Sequence, residues 1–197
     1  MTDAVTGIIL AGGQGRRMGT VDKGLQLLHG KPMVEHVLER LAPQVDALII
    51  NANQNPEAYA TLAEPFAARV IPDRIGGFAG PLAGLQAGLF AASTPLVVTV
   101  PCDSPFVATD LVSRLRAALD DAGAELAVAK TFAQPHPVFT LVRTDVRENL
   151  NAFLVGGGRK IDAWYAALRV VEVQFDDEPE AFENINTRDE LTGFEER

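Results

Sequence analysis

The chain reads as an α/β fold of three layers, αβα, around a mainly parallel, Rossmann-like sheet. Three observations in the amino-acid sequence lead there. Short, largely apolar runs at 7–11, 45–50 and 96–100 suit strands buried on both faces. Segments with apolar side chains one helical turn apart lie between such runs, and strand alternating with helix implies crossovers that cover both faces of one sheet. Glycines, an asparagine and aspartates gather where the apolar runs stop. Those positions are the carboxyl ends of parallel strands, where open sheets bind their ligands.

In chain order, the run 7–11 breaks into Gly12, Gly13, Gln14, Gly15, Arg16, Arg17, Met18 and Gly19, followed by Asp22, Lys23 and Gly24. Glycine admits positive φ and a close backbone approach, so amide N–H groups can converge while Arg16, Arg17 and Lys23 add positive charge. That describes a polyphosphate site. It is not a Walker A loop, because the Gly30-Lys31 pair is followed by Pro32. Nor is it a dinucleotide fingerprint: more glycines follow where a helix should start, and strand 45–50 ends in Asn51 rather than in an acidic residue.

Pro32 suits the first turn of a helix whose apolar face is Val34, Val37, Leu38 and Leu41. Residues 55–64 form a short helix, and strand 69–71 stops at Pro72 and Asp73. A glycine-bearing loop, 74–80, leads to an amphipathic helix marked by Leu82, Leu85, Leu89 and Phe90. Strand 96–100 is the clearest buried strand and ends at Pro101, Cys102 and Asp103. Thr109 is placed to cap a helix with core face Leu111, Leu115, Ala118 and Leu119. Strands at 126–129 and 138–142, helical patterns at 144–154 and 160–168, and a strand at 169–175 complete the chain. Thr187 is a second candidate cap, for a last helix.

Composition narrows the function classes. The net charge is −9, and residues 172–197 hold ten acidic and two basic side chains, so the rest is nearly balanced. Nonspecific nucleic-acid binding, which rests on neutralising phosphates, is not expected. No apolar run reaches the length of about 18 residues that a membrane span needs. Asp3 near the start argues against a secretory leader, and the single cysteine, Cys102, excludes an internal disulfide framework. A cytoplasmic, monomeric protein of one domain, 1–197, is the expectation, with only transient contacts to other proteins. Cys102 reads as core packing, since no histidine is tied to it by a motif.

The run Gly12-Gly13-Gln14-Gly15-Arg16-Arg17-Met18-Gly19, then Lys23, then Gly30-Lys31-Pro32, resembles the signature of nucleotidyltransferases with a GT-A-like fold. Within them, Asp22-Lys23-Gly24, Asn51-Ala52-Asn53, Gly80-Pro81-Leu82, the turn from Pro101 to Pro105 and Asn184-Ile185-Asn186-Thr187 are similar to the molybdenum cofactor guanylyltransferases. The resemblance implies Mg²⁺-dependent transfer of GMP from GTP to molybdenum-loaded molybdopterin, with release of pyrophosphate. It implies that 1–105 binds the nucleotide and 106–197 the acceptor. Lys23 and Arg17 would hold the phosphates and Asp103 the metal, which needs only one or two carboxylates beside phosphate oxygens and water. Leu10, Ala11, Gly12, Gly13, Asn51, Asp73 and Gly80 would hold the nucleotide. Arg159, Lys160, Asn184 and Asn186 would lie around the pterin. The residues alone leave open cytidylyl transfer, a sugar-phosphate acceptor, or a nucleotide-binding module without catalysis.

Overall fold

The computed structural model describes residues 3–11, 22–76 and 80–195. Its main sheet has seven strands in the order β5-β4-β1-β6-β8-β7-β9. They are β1 (Val5–Leu10), β4 (Ala47–Asn51), β5 (Arg69–Ile71), β6 (Leu96–Pro101), β7 (Leu126–Thr131), β8 (Gln134–Arg143) and β9 (Val170–Gln174). A separate ribbon pairs β2 (Leu27–Leu28) with β3 (Lys31–Pro32). The helices are α1 (Met33–Leu41), α2 (Pro56–Ala63), α3 (Pro81–Ala91), α4 (Leu111–Asp121), α5 (Arg147–Val155), α6 (Ile161–Tyr165) and α7 (Arg188–Glu195).

The mainly parallel sheet is as the sequence predicts, with β8 the one reversed strand: β6 and β7 both pair with it antiparallel. The reason is local. Only Phe132 and Ala133 separate β7 from β8, and a connection that short joins antiparallel neighbours. The hairpin also extends β8 back to Gln134, well before the apolar stretch that betrays it. Pairing slips between Val128 and Ala129, beside Pro137, which has no N–H to donate to a ladder.

Successive residues of β1 face opposite sides. Ile9 joins a core with Val34, Leu38, Tyr59, Val98 and Leu115, while Ile8 joins one with Leu82, Leu89, Val97, Leu150 and Trp164. These two cores separate the three layers. The contact face of α1 is as expected, but Pro32 pairs with Leu27 instead of entering the helix. Helix α3 is not amphipathic: Leu82 through Leu89 are all buried. Two glycines bring it onto the sheet, since a Cβ at Gly88 would lie 1.7 Å from Ile8 Cδ1 and one at Gly84 2.6 Å from Leu10 Cδ2. On its other side, Gln86 donates to Asn151 of α5 at 2.8 Å. Thr109 does not cap α4. The Val112 N–H donates instead to Gln44 Oε1 at 3.0 Å, a cap supplied from another part of the chain. Thr187 does cap α7: its Oγ1 accepts from Glu190 N–H and Glu190 Oε2 accepts from Thr187 N–H, both at 3.1 Å, a reciprocal capping box.

Candidate active site

The carboxyl ends of β1, β4, β5 and β6 are bonded into one surface. Ala11 N–H donates to Asn51 O at 2.8 Å, Ala52 N–H to Ile71 O at 2.9 Å, and Cys102 N–H to Leu10 O at 3.1 Å. These bonds carry the strand ladders one residue further and place Asp103 just beyond the end of β6. Its residue is only 8% exposed. Asp103 Oδ2 accepts from Lys23 Nζ at 3.1 Å, and the same ammonium donates to Asn186 Oδ1 at 2.5 Å. The pair is shielded enough for its attraction to be screened less than that of a surface pair.

Lys23 stands in a 3₁₀ turn, Lys23–Leu25, and both residues beside it are tied down. Asp22 accepts from Tyr59 Oη at 2.5 Å on one oxygen and from Asn55 Nδ2 at 3.1 Å on the other. A Cβ at Gly24 would lie 2.5 Å from Tyr59 Oη and 3.2 Å from Cys102 Sγ, so only glycine fits without a shift. Each member of the Asp22-Lys23-Gly24 triplet thus has a separate physical reason. The Cys102 thiol is buried, and burial followed by the nearby Asp103 and Asp22 carboxylates pushes its pKa well above the usual thiol value. It is held as the unreactive thiol, consistent with packing.

On the other side of β1, Asn51 is 2% exposed, and its Nδ2 donates to Asp73 Oδ1 at 2.9 Å. Asn53 completes a collar: its Nδ2 donates to Asp73 Oδ2 at 2.9 Å and its Oδ1 accepts from Asp73 N–H at 2.8 Å. The structure therefore brings Asn51 and Asp73 together, with Asn51 pressed beneath Gly84, whose Cβ would lie 2.4 Å from Asn51 Oδ1. Gly80 precedes α3 at φ 69°, a conformation that favours glycine, with Pro81 at the first helical position. Leu10 and Ala11 lie at the end of β1 beside Asn51. Gly12, Gly13 and Arg17 lie outside the described residues.

Asn184 and Asn186 close the site from the C-terminal side. Asn184 Oδ1 accepts from Ser104 Oγ at 2.5 Å, and Ile185 N–H donates to Asp103 O at 2.8 Å. Both asparagines also line an open cleft of about 490 Å³, with Thr131, His136, Phe139 and Phe182 among its walls. His136 stacks on Phe182 at 4.8 Å and bonds Thr131 Oγ1 at 2.7 Å, and burial lowers its pKa. Arg159 and Lys160 are not brought to this cleft. The Arg159 guanidinium donates to Leu154 O at 2.8 Å and Gly158 O at 2.6 Å, closing off the end of α5, and Lys160 leads into α6.

Comparison with known proteins agrees with this geometry. A family model described as a MobA-like NTP transferase domain matches residues 7–171. The chain belongs to that family. A molybdenum cofactor guanylyltransferase of Burkholderia vietnamiensis is 51% identical, across 100% of this chain and 98% of its own. One from Cupriavidus taiwanensis is 54% identical, across 99% and 98%. Among solved structures, molybdopterin-guanine dinucleotide biosynthesis protein A of Archaeoglobus fulgidus superposes with a TM-score of 0.78 at 28% identity, covering 97% of each chain.

For a MobA-like NTP transferase the arrangement supplies what nucleotidyl transfer asks of a protein, namely placed charge. Among the described residues no cluster of three His, Cys, Asp or Glu side chains forms a cage. The single Asp103 carboxylate, at the end of β6, fits Mg²⁺, which keeps its waters and takes phosphate oxygens from the nucleotide. Tyr59, Asn53 and Asn55 are the site residues that sequence reading missed. Only Asn53 carried a signal, by its place in Asn51-Ala52-Asn53.

Proposed function

We propose that this chain transfers GMP from GTP to the terminal phosphate of molybdenum-loaded molybdopterin. An acceptor phosphate oxygen bonds to the α-phosphorus, the bond from that phosphorus to the α–β bridging oxygen breaks, and pyrophosphate leaves. The observation that carries the reading is the Lys23–Asp103 pair at the end of β6, in a chain that matches guanylyltransferases over its full length at about half identity.

The Lys23 ammonium would exchange Asn186 for a phosphate oxygen and offset charge that grows on the departing pyrophosphate. Asp103 would hold Mg²⁺, which supplies charge neutralisation between the phosphates when bound. The Asn51–Asp73–Asn53 collar and Gly80 would face the nucleoside. The cleft beside Asn186 would take the acceptor, so the two substrates meet at Lys23. Arg17, Gly12 and Gly13 are proposed as further phosphate contacts, and Arg159 and Lys160 as outer pterin contacts. The acceptor phosphate is already an anion, so no general base is required. No helix among the described residues is long and apolar enough to cross a membrane, and we place the reaction in the cytoplasm on a monomer.

The test is pyrophosphate release with Mg²⁺, molybdenum-loaded molybdopterin, and GTP or CTP in parallel. Release with GTP alone is expected. Release with CTP alone would keep the chemistry and overturn the base assignment, and release with neither would overturn the acceptor.

A further inference from the structure

The Lys23 turn is weakly built from its own backbone. Leu25 N–H reaches Asp22 O at 3.3 Å and Gln26 N–H reaches Lys23 O at 3.1 Å, and the Gln26 side chain adds a 3.4 Å contact to Asp22 O. The shortest bond at the turn comes from outside it, 2.5 Å from the Tyr59 hydroxyl of α2 to Asp22, and Asn55, the N-cap of α2, adds one to the other Asp22 oxygen at 3.1 Å. Two features set this anchor apart from ordinary packing. Tyr59 is wholly buried at 0% exposure, so its hydroxyl must find a partner, and the one it finds is the residue immediately before Lys23. Asn55 occupies the N-cap position of α2 in the left-handed region at φ 48°, yet makes no cap hydrogen bond, its side chain going to Asp22 instead. Asn55 lies outside the extended backbone range of an ordinary side-chain N-cap, and its side chain bonds Asp22 rather than its own helix.

We propose that Tyr59 is a positioning residue for the transfer reaction, acting through Asp22 to aim the Lys23 ammonium at the site between Asp103 and Asn186. With both oxygens of Asp22 held by α2, the turn cannot roll about its own axis. Gly24 fits beneath the hydroxyl on the following side, so the turn is gripped before and after Lys23. From the opposite direction Asn186 receives the ammonium. This inference rests on the guanylyltransferase reading for its kinetic consequence, but not for its geometry.

Two experiments test it. Tyr59→Phe keeps the buried ring and removes only the hydroxyl. Because misplacing a catalytic group by an ångström costs up to about a hundredfold, a loss of about tenfold in kcat/KM for GTP is expected. If Tyr59 works through Lys23, the same substitution made in Lys23→Ala should change kcat/KM by less than about twofold, since a residue has nothing left to aim. Equal losses in both backgrounds, or no loss in the wild-type background, would overturn the proposal. The second experiment is independent of turnover: a crystal structure of Tyr59→Phe should show Lys23 Nζ moved away from Asp103 and Asn186, and an unmoved ammonium would overturn the proposal. A wild-type chain that releases no pyrophosphate would remove the functional reading, while the crystal structure still decides whether Tyr59 aims Lys23.

Discussion

Replacing Lys23 by alanine is the most direct perturbation of this site. The substitution deletes one ammonium and with it two contacts, 3.1 Å to Asp103 and 2.5 Å to Asn186. Two effects follow, and their sizes differ. Removing one preorganised donor to developing charge costs about 10²–10³ in rate, or about 3–4 kcal/mol. The folded state loses less: Asp103 is left mostly buried without its charged partner, a cost of about 1–3 kcal/mol, and in a chain of this size each kcal/mol lowers Tm by about 2–4 °C. The variant should therefore remain folded at room temperature and be nearly inactive. Pyrophosphate release at saturating molybdopterin substrate, with GTP varied, gives kcat and kcat/KM, and a thermal melt of the same samples gives the stability change. Lys23→Arg serves as the control for charge alone, because its planar fork does not reproduce a compact ammonium held between two oxygens. A Lys23→Ala variant that turns over within about threefold of wild type would refute the assignment of Lys23 to the chemistry.

Gly84→Ala would place a Cβ 2.4 Å from Asn51 Oδ1, so Asn51 must leave the collar around Asp73, and GTP affinity by calorimetry should fall about tenfold, the scale of one lost charge-assisted hydrogen bond; unchanged affinity would remove the collar from the nucleotide site. Cys102, buried and held protonated, should react with a thiol reagent in native protein at pH 8 far more slowly than in denatured protein; rapid native labelling would contradict its packing role. Asp177 accepts two hydrogen bonds from Arg114, at 2.9 and 3.0 Å, and the guanidinium bond holds its carboxyl below the ordinary value of 3.8. A depressed carboxylate stabilises the fold above its unfolded pKa and loses that contribution as pH falls through its folded pKa. Asp177→Asn should thus be less stable than wild type at pH 7, with the difference disappearing at strongly acid pH in denaturant titrations; an undiminished difference there would show that the bond acts without its charge.

Local composition carries the buried strands and the positions where they end. A strand buried on both faces is largely apolar, its few hydroxyls bonded to neighbours as Thr6 is to Thr94 and Thr99 to Thr140, which is why β1, β4 and β6 are legible as runs. The breaks in those runs name Asn51, Asp73 and Asp103, and the Asp22-Lys23-Gly24 triplet names the lysine. The remaining features depend on partners that are distant in the chain. Gln44 caps α4 from 68 residues away, and Tyr59 grips Asp22 across 37. Nothing in a local window distinguishes that tyrosine from one that fills a core. The same holds for α3, whose leucines imply one buried face while α5 covers the other, and for β8, whose first residues are polar and proline-rich because they edge a cleft. Asn184 and Asn186 stood out in the sequence, but only the fold shows that one bonds Ser104 and the other Lys23. Burial of a run is a property of the run, whereas the aim of a side chain depends on whatever the rest of the chain brings against it.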